Sequence, residues 1–277
     1  MTAPLLGITG ATGAIGGAVA AALADLRPRL LVRDPAKAVD LGGGVRRCVY
    51  GDPHAAEALV GVDVLLLVSG HESATRRAEH RAMVEAAAAA GVAHVVYLSF
   101  VGAAPDATFT LARDHADTEA ALAASGLAIT LLRDNFYADL LPHFADDAGV
   151  LRGPAGTGRV AAVGRADVAD VAAAVLRAPH EHVGAVYELS GPEALTMDEI
   201  AARAGAVLGR DLRFEDETVE EAYASRRAAY PGTPDWQLDA WVSTYTAIAD
   251  GSFARVSDDV ERITGRPART LETILRA

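Results

Sequence analysis

The sequence predicts an α/β fold: a doubly wound parallel sheet followed by a small, mostly helical C-terminal lobe. Three observations carry this. Short apolar runs alternate with helical stretches as far as residue 133, which is the signature of repeated strand–helix–strand crossovers. The run Val62-Asp63-Val64-Leu65-Leu66-Leu67-Val68 is almost continuously apolar, as expected of a strand buried on both faces of a parallel sheet. A glycine-rich turn, Gly7 to Gly16, joins the first strand to the first helix.

That turn reads Gly7-Ile8-Thr9-Gly10-Ala11-Thr12-Gly13-Ala14-Ile15-Gly16, after Leu5-Leu6 and ahead of Ala18 to Leu23. Gly10, Gly13 and Gly16 form G-x-x-G-x-x-G. Residues without Cβ let the backbone turn tightly and approach a pyrophosphate. The backbone of Gly10, Thr12, Gly13, Ala14 and Ile15 is then placed to hold that anion at the helix start. The alternative is an unliganded turn, but strand, spacing and helix agree on a Rossmann-type sheet.

Further strands are expected at Leu30–Arg33, Val45–Tyr50, His94–Ser99 and Leu127–Arg133. Helices fill roughly 74–90 and 113–124, closed by Gly91 and Gly126. Beyond Asp134 the pattern loosens. Val160–Val163 and Ala185–Leu189 read as strands, and 166–177 as a helix with Asp167 as its N-cap. Thr196-Met197-Asp198-Glu199 is a capping box ahead of Ile200–Leu208. Short helices with one strand near Leu212-Arg213-Phe214 complete the chain, and Trp236, Trp241 and Tyr245 form an aromatic stripe read as lobe core. Residues 1–133 are thus the expected dinucleotide-binding core, with 155–190 adding to the sheet; 134–154 and 191–277 form the substrate lobe, expected at the sheet's carboxyl edge.

The totals exclude several classes. Lys+Arg is 25 against 37 Asp+Glu, a formal net charge of −12, which argues against a nucleic-acid partner. The single cysteine, Cys48, forms no internal disulfide and reads as a buried thiol. No histidine pairs with carboxylates at metal spacing, so no metal is expected. The absence of a signal-peptide pattern and of any transmembrane-length run leads to the expectation of a cytoplasmic protein with no membrane partner. There is no G-x-S-x-G elbow and no Lys-Ser/Thr after the glycine turn, which excludes serine hydrolysis and a P-loop. The chain is compatible with a homodimer acting on a small-molecule substrate.

The end of the second strand addresses the cofactor. An acidic residue there takes the ribose hydroxyl of NAD. Here Arg33 occupies that end, with Lys37 a turn later. A guanidinium fork matches the 2′-phosphate of NADP, so NADPH is favoured over NADH. Asp34 stands against this, since it could bond a ribose and repel a phosphate; a merely solvated Arg33 and Lys37 is the other reading. Asp52, after the third strand, could accept from the adenine amino group or simply form a turn. Val68, Ser69 and Gly70 end the fourth strand along the expected cofactor path.

These residues carry a resemblance. Thr9-Gly10-Ala11-Thr12-Gly13 with Gly16, then Val32-Arg33-Asp34-Pro35-Ala36-Lys37, resembles the NmrA-like atypical short-chain dehydrogenase/reductases, and within them the type 2 NAD(P)H:quinone oxidoreductases. Tyr97-Leu98-Ser99, His115 with Thr118-Glu119, Ser125-Gly126-Leu127, Thr130 to Arg133 with Asn135-Phe136-Tyr137, Arg165 to Ala169 and Ile263 to Pro267 also fit. The resemblance implies a dinucleotide-binding sheet, a preference for NADPH and a C-terminal substrate lobe.

Ordinary short-chain reductases place Tyr-x-x-x-Lys at the reacting centre. Here Tyr97 is followed at four residues by Val101, and Tyr137 by Leu141. The quinone reductase branch also lacks the pair. A quinone is a strong acceptor, so positioning suffices, with water or a weak acid supplying the proton. The catalytic candidates are Tyr137, either a hydrogen-bond donor or an aromatic wall; His115, near the place of the missing lysine or else a surface histidine; and Ser99, a mimic of the carbonyl-polarising serine. Asn135 and Phe136 are expected to line the nicotinamide. The resulting expectation is an NAD(P)H-dependent reductase of a quinone or a similarly activated carbonyl or enone. The alternatives are an NmrA-like NADP-binding redox sensor and a tailoring reductase of secondary metabolism.

Overall fold

A computed structural model describes residues 4–277. The chain opens with β1 (Leu6–Thr9) and α1 (Ala14–Ala22), followed by β2 (Arg29–Val32), β3 (Val45–Arg47), α2 (Ala55–Leu59), β4 (Val64–Val68) and α3 (Arg76–Ala89). Next come β5 (His94–Phe100), α4 (Thr110–Ala124), β6 (Ala128–Asp134), β7 (Val150–Gly153), β8 (Arg159–Val160), α5 (Arg165–Arg177) and β9 (Val186–Leu189). The C-terminal part holds β10 (Leu195–Thr196), α6 (Met197–Leu208), β11 (Arg213–Asp216), α7 (Val219–Ala229), α8 (Asp235–Ala249), α9 (Asp259–Thr264) and α10 (Leu271–Leu275).

Seven strands form one sheet in the order β3-β2-β1-β4-β5-β6-β9, so the strand order reverses at β1/β4, as in a doubly wound sheet. β1 pairs in parallel with both β2 and β4. Helical crossovers cover the faces, so the central strands are buried on both sides: Ile8, Leu65 and Leu66 are each fully enclosed. β3 stops at Arg47, short of the expected Tyr50. It is an edge strand whose Arg46 and Arg47 are exposed, and charge of this kind blunts an edge. Cys48 is buried as expected, and burial pushes its thiol up to about 11.

The chain divides into two compact units. One comprises the chain through Phe100, Asp114–Arg133 and Val168–Tyr187; the other comprises Val101–Arg113, Asp134–Asp167 and Glu188–Ala277. In the second unit β7 pairs with β11 in parallel and β8 with β10 antiparallel. The sequence pointed to strands at Val160–Val163 and near Leu212, which overlap β8 and β11, but not to β7 and β10, because pieces of two to four residues are too short to show alternation. The capping box of α6 is present: Thr196 Oγ1 accepts from the Glu199 N–H at 3.2 Å, and the Glu199 carboxylate accepts from the Thr196 N–H at 2.9 Å. The aromatic stripe of α8 is only partly core. Tyr245 is buried beneath the Arg226 guanidinium, whereas Trp236 and Trp241 are half-buried.

Asp167 is not an N-cap. α5 begins at Arg165, so Asp167 lies inside its first turn, where it is fully buried. Its carboxylate accepts from Arg266 at 3.0 Å, from the Arg269 backbone N–H at 2.9 Å and from the Arg269 guanidinium. The C-terminal segment is thus clasped to the start of α5. Breaking a buried charge pair by removing one partner costs about 3 kcal/mol or more. Asp167→Ala is therefore expected to lower the unfolding free energy by about 3 kcal/mol, read from the midpoint of a urea titration; an unchanged midpoint would remove Asp167 from the stabilising framework.

Candidate functional site

The first unit builds an anion seat at the start of α1. Gly10 adopts a left-handed φ of 61°, and the Gly13 N–H closes the turn onto the Gly10 carbonyl at 2.8 Å. Gly13 is the N-cap, has no side chain to offer, and is followed by no acidic residue in the first turn. The N–H groups of that turn have no partner within the helix and face outward with the positive end of the helix dipole. A Cβ on Gly16 would sit 2.7 Å from the Gly10 carbonyl carbon and 2.8 Å from the Thr9 oxygen. Helix and strand therefore meet backbone to backbone, and this geometry fits a dinucleotide pyrophosphate.

Behind the turn, the Thr9 hydroxyl joins three neighbours. It donates to the Leu66 carbonyl at 3.1 Å and accepts from the Val68 N–H at 2.8 Å and the Tyr50 hydroxyl at 2.7 Å. These bonds hold the ends of β1 and β4 in register. Tyr50 was not legible as a participant, because its partners lie 41 and 18 residues away.

At the end of β2, Arg33 and Lys37 are exposed, and neither has an ion-pair partner among the described residues. Asp34 is turned to another task. Its carboxylate accepts from the Ala36 N–H at 3.1 Å and caps the short turn Pro35–Lys37. Asp52 lies in the turn after β3: its carboxylate accepts from the His54 N–H at 2.9 Å and from Arg47 at 2.7 Å, and these bonds hold it below the usual carboxylate range.

Gly70, just past β4, is gripped on both sides. Its N–H donates to His80 Nε2 at 2.9 Å, and its carbonyl accepts from Arg76 Nε at 3.2 Å. Because Nε2 accepts, His80 carries its proton on Nδ1, which donates to the Thr118 hydroxyl at 2.9 Å. Burial, with Arg76 adding repulsion, holds this ring neutral down to about 3. His115 is likewise interior, contrary to the surface reading. Arg76 donates to its Nε2 at 3.0 Å, so its Nδ1–H points at the Tyr97 oxygen, also at 3.0 Å. Burial and then Arg76 push its pKa well below the usual histidine value. Ser99 is fully buried and donates to Glu119 at 2.6 Å, and Glu119 in turn is held by Arg133. Both ring nitrogens of His115 and the Ser99 hydroxyl are thus already engaged.

The second unit holds Asn135, Phe136 and Tyr137. The Asn135 side chain is committed to backbone: Nδ2 donates to the Phe253 carbonyl at 2.9 Å and Oδ1 accepts from the Phe136 N–H at 2.8 Å. Phe136 joins Phe109 and Phe253 in an aromatic cluster with ring centroids 5.5 to 5.8 Å apart. Tyr137 is pinned to Val163 by backbone bonds on both sides, from Val163 N–H to the Phe136 carbonyl and from Ala138 N–H to the Val163 carbonyl. Its hydroxyl donates to Asp134 at 2.6 Å. Sequence reasoning passed over Asp134; its only signal was a carboxylate three residues before a tyrosine at a strand end. Among the described residues no cluster of His, Cys, Asp or Glu could hold a metal, and no helix is long and apolar enough to cross a membrane.

Residues 10–179 match the family described as NAD(P)H-binding. The chain belongs to that family, in its NmrA-like atypical short-chain reductase branch. This NmrA-like chain is 36% identical to quinone oxidoreductase 2 of Escherichia coli K12, over 96% of each chain. It is 38% identical to the (4-alkanoyl-5-oxo-2,5-dihydrofuran-3-yl)methyl phosphate reductase of Streptomyces griseus, over 95% of this chain and 93% of that one. An Escherichia coli NADPH-dependent quinone oxidoreductase, solved with NADPH, superposes with a TM-score of 0.88 at 34% identity, over 98% of this chain and 99% of that one. The glycine turn at α1 leaves no room for a Cβ at Gly16. Gly16→Ala is expected to weaken NAD(P)H binding by about ten-fold or more, measured by titration calorimetry; wild-type affinity would mean that the helix can withdraw without disturbing the seat.

Proposed function

We propose that the protein is an NADPH-dependent reductase acting on a quinone or a similarly activated carbonyl or enone. The observation that carries this is the uncapped glycine turn at α1 together with two cations at the end of β2, Arg33 and Lys37, that form no ion pair among the described residues. The similarity to reductases along nearly the whole chain supports it. The bound dinucleotide supplies the hydride. The α1 N–H groups hold the pyrophosphate, and the Arg33 fork takes the 2′-phosphate with Lys37 adding charge. Asp34 Oδ1 is engaged by the Ala36 N–H, which turns that carboxylate oxygen to the Pro35–Lys37 turn.

Lys37 is the only lysine in the chain, so no lysine stands beside a tyrosine to lower its pKa. Ser99 and His115 are assigned to positioning, since their polar atoms are engaged within the first unit. Asn135 shapes the backbone beneath the Phe136 ring, which offers an apolar face to a planar substrate. Tyr137 is assigned as the hydrogen-bond donor to the substrate oxygen, at the carboxyl end of β6 where open sheets bind ligands.

Purified protein with NADPH and a panel of benzo- and naphthoquinones is expected to consume NADPH above the blank rate, followed by absorbance of the reduced nicotinamide. Tight NADPH binding without consumption across the panel would sink the reductase reading in favour of a redox sensor. Arg33→Ala is expected to raise the Kd for NADPH by about ten-fold while leaving that for NADH unchanged. An equal loss for both cofactors would show that Arg33 does not read the phosphate.

A further inference from the structure

Asp134 is the last residue of β6 and is 2% exposed. Within the described residues its carboxylate meets one side chain, the Tyr137 hydroxyl at 2.6 Å. No cation faces it. The nearest charges on the tyrosine side are Arg165 and Asp139, and these are paired with each other. A carboxyl group enclosed without a counter-ion is held in its neutral, protonated form. Burial accordingly pushes Asp134 up to about 8, despite the opposing bond from Tyr137. Burial and the neighbouring Asp134 push the tyrosine itself well above its usual value. A phenol alone in that setting gives up its proton reluctantly, because the phenolate left behind is unsupported.

Resting on the reductase reading above, we propose that Asp134 is the proton store of the reaction, refilling Tyr137 as the tyrosine hydroxyl protonates the reduced substrate. With Asp134 protonated, the bond between the two residues reverses: the carboxyl donates to the Tyr137 oxygen, and the tyrosine O–H is released toward the substrate. The balance is simple. The cofactor is oxidised and the quinone gains two electrons with the hydride. One further proton leaves the Tyr137 O–H, whose electron pair stays on the phenolic oxygen. The Asp134 O–H breaks as its proton moves to that oxygen, and the carboxylate recovers a proton from water. One proton and one hydride convert quinone to hydroquinone. Tyr137 touches substrate and is the catalytic residue; Asp134 acts through it and is a positioning and proton-storing residue.

Two measurements test this, and the first requires no activity. A carboxyl whose folded pKa is raised above its unfolded value binds more protons folded than unfolded across the interval. The contribution of Asp134 to stability therefore falls as pH rises from about 4 to about 8. Because His80 and His115, neutral when folded, give both proteins the opposite slope below about pH 6.5, the fall is read as the difference in urea unfolding free energy between wild type and Asp134→Asn, which is isosteric and still able to accept from Tyr137. Identical pH dependence in the two proteins would overturn the proposal. The second measurement is the pH profile of quinone reduction. Wild-type kcat should decline above about pH 8. Asp134→Asn should show a flat profile lowered about ten-fold or more, with KM for NADPH unchanged. Tyr137→Phe should reach the same low plateau, and the double variant should fall no further. An Asp134→Asn enzyme with the wild-type profile overturns proton storage and leaves the reductase reading intact. A wild-type protein that reduces no acceptor overturns the reading itself, and proton delivery with it.

Discussion

The backbone of Gly16 rests against the carbonyl of Gly10 with no room for a side-chain carbon between them. This one contact sets the angle at which α1 leaves β1, and so where the helix axis points and where its unpartnered N–H groups lie. It also determines which β1 residues can reach β4. The Thr9 hydroxyl bonds Leu66 and Val68 because the turn begins immediately after it. Removing the close approach would disturb the centre of the sheet and the anion seat together, since both are built from the same ten residues.

Around this centre, the first unit surrounds the β4–α3 loop with buried polar groups instead of apolar ones. Arg76, at 4% exposure, reaches Gly70, His115 and Asp114. Such a cluster is costly to desolvate and gives little net stability. What it provides is a unique geometry, because each ring nitrogen of His80 and His115 has one assigned role and neither ring charges in the ordinary pH range. The second unit follows a different rule at Asp134, which is buried with a hydroxyl and no cation. His115, a reactive candidate in the sequence, and His80 are fixed and neutral, while the carboxylate of Asp134 is poised to titrate.

The legible part of the molecule was the part made of local pattern. Apolar runs, the glycine spacing and the Thr196–Glu199 box announce their strands, turn and helix within ten residues of sequence, and the sheet formed where they indicated. What stayed hidden depends on distance along the chain. Asp167 resembles a cap until Arg266 and Arg269, 99 and 102 residues later, are brought to it. His115 looks like a surface residue of α4 until Arg76, 39 residues earlier, is placed against it. The identity of Asp34 was readable in the sequence, whereas its bond to the Ala36 N–H was not. The short strands β7 and β10 escaped notice because pairing, not propensity, holds segments of that length.

A chain of 277 residues with one lysine has unusual surface chemistry. Its positive charge is otherwise carried by guanidinium groups, which do not react with acylating reagents at neutral pH. The only side-chain amine sits a turn after Arg33, past the end of β2, exposed and outside any ion pair among the described residues. Amine-directed labelling, immobilisation or acetylation of a side chain therefore converges on a single address. Modification there removes the ammonium charge and leaves the Arg33 guanidinium in place.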